Sequence, residues 1–252
     1  NLDGTTLGSS TDVFSFTVAG TQDLFSGHYL AMAPTGGIVA VGYTLKDQSG
    51  GIELGAAGSA PTEIAGTGNY DAIYLDADTL LVNGQGLGAV DKGHAVYAYK
   101  AGAARALITD AGSFSGFIAV GAHVLFAGGY TTKNEIWAFS LAEVKAAIAG
   151  GTTLSAKTDG DLVYAGPITD AATLGDDLVF VDDDFVTFNA VRRVAITVTG
   201  DSVSAGATSD IVTPGTSGAK VTGLSAQGLW LGLRFTTSAT GGVDTLALVR
   251  AK

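Results

Sequence analysis

Cysteine is absent from this chain of 252 residues, methionine occurs once and proline four times. The lack of cysteine excludes disulfides, thiol catalysis, and zinc or iron–sulfur sites held by cysteine. Basic residues are also scarce, since 13 Lys and Arg stand against 24 Asp and Glu, for a net charge of −11. A protein that binds nucleic acid through its phosphates needs a basic surface, so we expect no nucleic-acid partner.

Long apolar runs are missing as well, since none reaches the roughly 18 residues that a membrane-spanning helix requires. We therefore expect no membrane span. The chain begins at Asn1, with neither an initiator methionine nor an apolar leader, which favours removal of a signal peptide or a preceding domain. Together with abundant Thr, Ser and Gly and little Lys, this predicts an exported protein that is periplasmic, extracellular or on the cell surface.

Short apolar segments separated by turn residues are what the sequence contains instead. The stretch from Tyr70 to Asp110 shows four of them, at Tyr70–Leu75, Leu80–Gln85, His94–Tyr99 and Arg105–Thr109. This pattern predicts four short antiparallel strands in one small sheet. Such a sheet leaves both faces uncovered, so it needs neighbouring sheets to form a core.

The same unit recurs along the chain. Equivalent second-strand positions fall at intervals of 42 to 54 residues, at Ile38, Leu80, Val124, Leu178 and Leu229. After a leader at residues 1–10 and a strand at 11–19, we predict units at residues 27–66, 69–110, 115–166, 169–212 and 219–252. One helix is predicted over Leu141–Ile148, inserted between the third and fourth strands of the third unit.

A repeat of this length with four strands per unit resembles the five-bladed β-propeller family over essentially the whole chain. The resemblance implies an all-β fold, with residues 1–252 as one domain and four antiparallel strands per blade. The fifth unit has three strands, and Val13–Val18 is a strand without a hairpin partner. We therefore predict that this N-terminal strand closes the last blade, and that deleting residues 1–19 lowers the melting temperature strongly. A β-sandwich of the same strands is the alternative.

The resemblance also places the loops between blades, and those between second and third strands, around the mouth of a central channel. Aromatic, amide and acidic side chains there suit a sugar or another polar small molecule, with a solvated rim as the alternative. The residues predicted to bind a ligand are His28, Tyr43, Asp71, Gln85, Tyr130, Asp170, Asp183, Lys220 and Arg234.

Catalysis has weaker support in the sequence. Five-bladed propellers include glycoside hydrolases that use paired carboxylates at the channel mouth, and the candidates here are Asp71, Asp170 and Glu135. The chain has only four glutamates, and none begins a first strand, where a general acid is expected. No G-x-S-x-G motif occurs to indicate a nucleophilic serine.

A cluster of three acids, Asp182, Asp183 and Asp184, ends one strand, and Arg192 and Arg193 begin the strand that faces it. We expect the arginines to compensate the acids, and the alternative is a Ca²⁺ site. No other cofactor is predicted. The aspartates of the first-to-second-strand turns, such as Asp76 and Asp176, are interpreted as turn residues that bond their own backbone.

Two tryptophans, Trp137 and Trp230, are expected in the core between blades. The sequence as a whole predicts a non-catalytic exported propeller that acts as a ligand-binding or protein-interaction module. Its partner would be another protein, a polar small molecule or a glycan. The alternatives are a glycoside-hydrolase-like enzyme and a cation-stabilised lectin.

Overall fold

The computed structural model describes residues 24–45, 50–56, 58–66, 69–87, 90–111, 116–129, 135–183, 188–212, 220–227, 230–236 and 244–250. Within these ranges the chain is mostly β-structure, built as successive small antiparallel sheets. The fold is a five-bladed β-propeller, as predicted. No helix in the described part is long and apolar enough to cross a membrane.

The first two blades each have four strands. Blade 1 contains β1 (Leu24–Met32), β2 (Val39–Leu45), β3 (Gly50–Gly55) and β4 (Thr62–Gly66). Blade 2 contains β5 (Asn69–Tyr74), β6 (Thr79–Leu87), β7 (Val90–Lys100) and β8 (Ala103–Thr109). Strands that follow one another within a blade pair antiparallel.

The third blade carries the predicted insertion. It contains β9 (Gly116–Val120), β10 (Val124–Gly129), β11 (Glu135–Ser140), then α1 (Leu141–Gly150), β12 (Leu154–Ser155) and α2 (Ala156–Asp159), and finally β13 (Asp161–Ala165). Blade 4 contains β14 (Asp170–Leu174), β15 (Asp177–Asp183), β16 (Phe188–Thr199) and β17 (Ser202–Val212).

Blade 5 shows three strands among the described residues, β18 (Lys220–Gln227), β19 (Trp230–Thr236) and β20 (Asp244–Arg250). They pair in sequence order as an antiparallel sheet. The predicted closing strand at residues 11–19, together with the leader before it, lies outside the described residues. Closure of the last blade by that strand therefore stays a prediction.

The helix α1 has the caps that its sequence favours. The Ser140 hydroxyl accepts a hydrogen bond from the Glu143 N–H at 3.1 Å, and Gly151 ends the helix with a φ of 69°. The insertion also contacts the preceding blade, because β12 pairs parallel with β8. Arg105 on β8 donates to the Ala147 carbonyl at 2.7 Å. The insertion of blade 3 thus covers the outer edge of blade 2.

The core lies between neighbouring blades, where the faces of adjacent sheets pack against each other. Leu81 of blade 2 packs with Leu125 and Phe139 of blade 3, and all are fully or almost fully buried. Phe126 of blade 3 and Phe180 of blade 4 share a second cluster. Burial of one such phenylalanine contributes about 2–3 kcal/mol.

The two ends of the strands define two faces of the ring. First strands begin, and second strands end, on what we name the mouth face. The turns between first and second strands, exemplified by Asp76 and Asp176, lie on the opposite side, which we name the turn face. Antiparallel pairing within each blade enforces this division.

Candidate functional site

Two of the predicted mouth residues form matching links between blades. The carboxylate of Asp71 accepts hydrogen bonds from the N–H of Ala72 at 2.9 Å and from that of Ile118 at 2.8 Å. Ile118 belongs to β9, the first strand of the next blade. Asp71 therefore connects the inner strands of blades 2 and 3.

Asp170 repeats this arrangement two blades later. Its carboxylate accepts from the N–H of Ala171 at 2.9 Å and from that of Leu224, on β18, at 2.7 Å. In both aspartates one oxygen bonds the next residue of its own strand and the other oxygen bonds the following blade. We name these two arrangements the aspartate links.

Asn83 strengthens the first link, and sequence analysis did not select it. It lies directly opposite Asp71 in the pairing of β5 with β6. Its side-chain amide donates to the carbonyls of Phe117 at 3.0 Å and Gly128 at 3.1 Å. The peptide that joins Phe117 to Ile118 is thus held at both its carbonyl and its N–H. The Asn83 Oδ1 atom is buried and has no hydrogen-bond partner among the described residues.

The two carboxyl groups are perturbed in the same direction. Burial raises the pKa of Asp71 to about 7, against the opposing effect of its two N–H donors, and the charge of Asp170 adds to the rise. Burial also raises the pKa of Asp170, opposed by its N–H donors and by the positive charge of Arg234. The structure therefore brings Asp71, Asp170 and Arg234 into one electrostatic environment.

The hydrolase hypothesis needs carboxyl groups that face a substrate. In both aspartates each carboxylate oxygen already accepts a backbone N–H that serves the architecture. The third candidate, Glu135, begins β11 as predicted and is half-buried. These contacts do not test catalysis, so the glycoside-hydrolase hypothesis stays a prediction.

The other predicted mouth residues have different environments. Tyr43 is buried, and its hydroxyl donates to the Glu63 carboxylate at 2.5 Å. Burial first, and Glu63 second, raise the pKa of Tyr43. Gln85 lies near the end of β6, half-buried and paired with His94. The side chains of His28, Asp183 and Lys220, and all of Tyr130, lie outside the described residues.

Arg234 is exposed and borders a small cavity of about 330 Å³ on blade 5. The lining residues are Gly223, Leu224, Ser225, Gly232, Arg234 and Leu246. One of its glycines is required by a close contact: a Cβ at Gly232 would lie 2.6 Å from the Ser225 hydroxyl oxygen. The cavity therefore presents a guanidinium, a hydroxyl and an exposed leucine side by side.

Within the acidic cluster at the end of β15, the predicted contact with an arginine is present for Asp182 and Arg192. The Arg192 guanidinium contacts the almost fully buried Asp182 carboxylate at 2.6 Å and the Asp210 carboxylate at 3.1 Å. Arg193 instead contacts Asp177, with its Nε at 2.7 Å from the carboxylate. Among the described residues no group of three His, Cys, Asp or Glu side chains could hold a metal ion. Asp184 and the Asp183 side chain lie outside them, so the Ca²⁺ site stays a prediction.

A second arrangement that sequence analysis missed lies on the turn face. Asp76 bonds its own turn as predicted, accepting the Asp78 N–H at 3.2 Å. Asp176, in the equivalent turn of blade 4, instead bonds blade 3: it accepts the His123 N–H at 2.6 Å and contacts the His123 Nδ1 at 2.8 Å. No local signal in the sequence indicates this contact, because His123 and Asp176 lie 53 residues apart.

The tryptophans divide between core and surface. Trp137 is partly buried against the cluster between blades 2 and 3, in agreement with its predicted core position. Trp230 is 50% exposed, so the prediction of a core position was wrong for this residue. The reason is that β19 begins at Trp230, which places it at the end of the sheet rather than mid-strand.

Three solved enzymes contain a fold similar to that of this chain. Prolyl oligopeptidase B from Galerina marginata matches with a TM-score of 0.58 and 12% identity over 91% of this chain and 34% of that one. A post-proline cleaving enzyme from Rickettsia typhi matches with a TM-score of 0.53 and 9% identity over 90% of this chain and 36% of that one. A periplasmic gluconolactonase from Pseudomonas aeruginosa matches with a TM-score of 0.50 and 16% identity over 88% and 72%.

These similarities establish the fold alone, because the identities are low. The chain spans about a third of the length of the two prolyl-cleaving enzymes. No protein-family model matches the sequence, and no curated protein matches it significantly.

Proposed function

We propose that this protein is a non-catalytic binding module whose ligand sits at the mouth face beside Arg234. The observation that carries the proposal is the exposed guanidinium beside a glycine-lined cavity of about 330 Å³. Loops and strand ends at the mouth of a propeller are a common place for such sites. The predicted export of the protein is part of this proposal and has its support in composition only.

The chemistry of the cavity suggests a polar ligand that carries a carboxylate. Arginine binds carboxylates through two parallel hydrogen bonds, and it does so better than lysine because its donors form a planar fork. Ser225 adds a hydroxyl, and Leu246, which is 80% exposed, adds an apolar surface. An acidic sugar, free or at the end of a glycan, combines these features.

A direct binding experiment tests the proposal. Titration of the protein with glucuronate and galacturonate, with glucose and galactose as uncharged counterparts, should show binding of the acidic sugars alone. Arg234→Ala should abolish that binding. Arg250→Ala is a matched control, because Arg250 is an exposed arginine of the same sheet and does not line the cavity. Equal loss in both variants, or no binding of any acidic sugar, would contradict the proposal.

The glycoside-hydrolase alternative has one observation in its favour. Burial raises the pKa of Asp71 to about 7, which is the range in which a general acid works at neutral pH. A screen for hydrolysis of polysaccharides, repeated with Asp71→Asn and Asp170→Asn, tests this function. Activity that both variants lose would replace the binding-module proposal with an enzymatic one.

A further inference from the structure

A cleft of about 530 Å³ lies on the turn face, opposite the mouth, where blades 3 and 4 meet. Three segments surround it: the turn before β10, the first turns of α1, and the turn between β16 and β17. The lining residues are Ala122, His123, Ser140, Leu141, Ala142, Lys145, Val198 and Gly200. Among the described lining residues, the cleft and the cavity at Arg234 have none in common.

His123 is held rigidly although its side chain is 72% exposed. The Asp176 carboxylate contacts both the backbone N–H of His123, at 2.6 Å, and its Nδ1, at 2.8 Å. The His123 carbonyl accepts the Leu141 N–H at 2.8 Å. Because the Asp176 carboxylate accepts the proton of Nδ1, the Nε2 atom is the one left for an outside group, and it donates to an anion when the ring is an imidazolium.

A glycine next to this turn allows the close contact between Asp176 and His123. A Cβ at Gly121 would lie 2.6 Å from the Gly175 carbonyl oxygen and 2.9 Å from the Asp176 carboxylate. Only glycine lets blade 4 approach so closely. The Ala122 N–H completes the contact by donating to the Gly175 carbonyl at 3.2 Å.

Lys145 supplies a cation on the other side of the cleft. It is exposed on α1, and its ammonium has no ion-pair or hydrogen-bond partner among the described residues. Apolar groups of Leu141 and Val198 complete the wall.

Acidic side chains also lie near the cleft. Ser140 donates to the Asp201 carboxylate at 3.5 Å. Burial, and then the charges of Asp159, Asp201 and Asp161, raise the pKa of Glu143 on the first turn of α1. Of these acids, none lines the cleft itself.

We propose that this cleft binds a small organic oxyanion, a carboxylate or a phosphate ester, through His123 and Lys145. The helix terminus is not the source of the attraction, since the Leu141 and Glu143 N–H groups are already bonded within the protein. A metal ion does not fit the cleft, because His123 is the only His, Cys, Asp or Glu among the described lining residues and Lys145 would repel a cation. The apolar wall favours a ligand with a hydrophobic body behind its anionic group.

Calorimetric titration with four probes tests the site: inorganic phosphate, phenyl phosphate, acetate and benzoate. We expect phenyl phosphate or benzoate to bind at millimolar concentration, more tightly than phosphate or acetate. His123→Gln and Lys145→Gln should each weaken binding about tenfold, the usual loss of a charge-assisted hydrogen bond. The pair of aryl probes decides between a phosphate and a carboxylate.

Two controls separate the site from general electrostatics and from the proposed mouth site. Lys157→Gln removes an exposed lysine that lies outside the cleft, and Arg234→Ala removes the mouth arginine; both should leave binding unchanged. Asp176→Asn should weaken binding and shift the ¹⁵N resonances of the His123 ring, because its orienting carboxylate is lost. No binding of any probe, or equal weakening by Lys157→Gln, would overturn the proposal.

Discussion

The boundary between blades 2 and 3 and the boundary between blades 4 and 5 use the same aspartate link in different surroundings. At the first boundary, the buried Asn83 lies opposite Asp71, and its side-chain amide donates hydrogen bonds to two carbonyls of blade 3. At the second, the residue opposite Asp170 is Val181, whose apolar side chain packs in the cluster between blades 4 and 5, and Arg234 lies near the carboxylate. The polar contacts of the first boundary therefore include a buried amide, whereas at the second the carboxylate has a cation nearby.

This difference shows how one structural device can serve two purposes. A buried polar network fixes one blade on the next, and of its side-chain atoms only the buried Asn83 Oδ1 lacks a partner among the described residues. The link at blades 4 and 5 borders an exposed arginine and a cavity. We therefore expect the first boundary to matter more for stability and the second to matter more for binding.

The largest expected effect is a pH dependence of stability that arises from Asp71. Its pKa is about 7 in the folded protein and 3.8 ordinarily, so between these values the folded state holds a proton that the unfolded state has lost. Stability should fall as pH rises through this window, by up to about 1.4 kcal/mol per pH unit and about 4 kcal/mol in all.

Comparison of the protein with Asp71→Asn, by chemical denaturation over the same pH range, isolates this contribution. The stability advantage of the natural protein over the variant should shrink steadily as pH increases. Asp170→Asn is the matched control and should show a smaller change, because Arg234 favours the ionised form of Asp170. Parallel curves for the protein and Asp71→Asn would contradict the assignment.

A substitution of nearly equal shape, Asn83→Asp, should break the first boundary. It replaces a donor to two carbonyls by a carboxylate directly opposite Asp71, which costs about 3 kcal/mol at neutral pH. The loss should diminish in acid, where the new carboxyl can donate a proton. Asn83→Leu is the control, since it removes the same bonds without a charge and its cost should not depend on pH. Equal and pH-independent losses would show that charge plays no part.

The sequence predicted the parts of this architecture that depend on local pattern. Alternating apolar residues indicated where the strands lie. Ser140 and Gly151 cap α1 in the structure, and such caps depend on neighbouring residues only. An Asp-Ala pair recurs at positions 71–72 and 170–171, which are equivalent in the repeat and form the two aspartate links. Their role was not predicted, because the partner N–H groups of Ile118 and Leu224 lie 47 and 54 residues away.

Contacts between blades account for what the sequence did not show. Asn83 is a polar residue directly after the apolar segment Leu80–Val82, which indicates a buried partner but not its identity. Asp176 looked like an ordinary turn residue because its bond to His123 depends on the approach of two blades. Both cases depend on how one sheet stacks on the next, which the strand pattern leaves open.

The smallest effect we predict is the difference between two alanine substitutions, and it compares the boundaries most directly. Asp71→Ala and Asp170→Ala each leave two backbone N–H groups without their acceptor. Below the pKa of Asp71, the first should cost about 1 kcal/mol more, because Ile118 belongs to the peptide that Asn83 also holds. Equilibrium denaturation of both variants measures this difference. If Asp170→Ala were the more harmful, the boundary beside Arg234 would be the principal structural one, and its assignment to ligand binding would lose its basis.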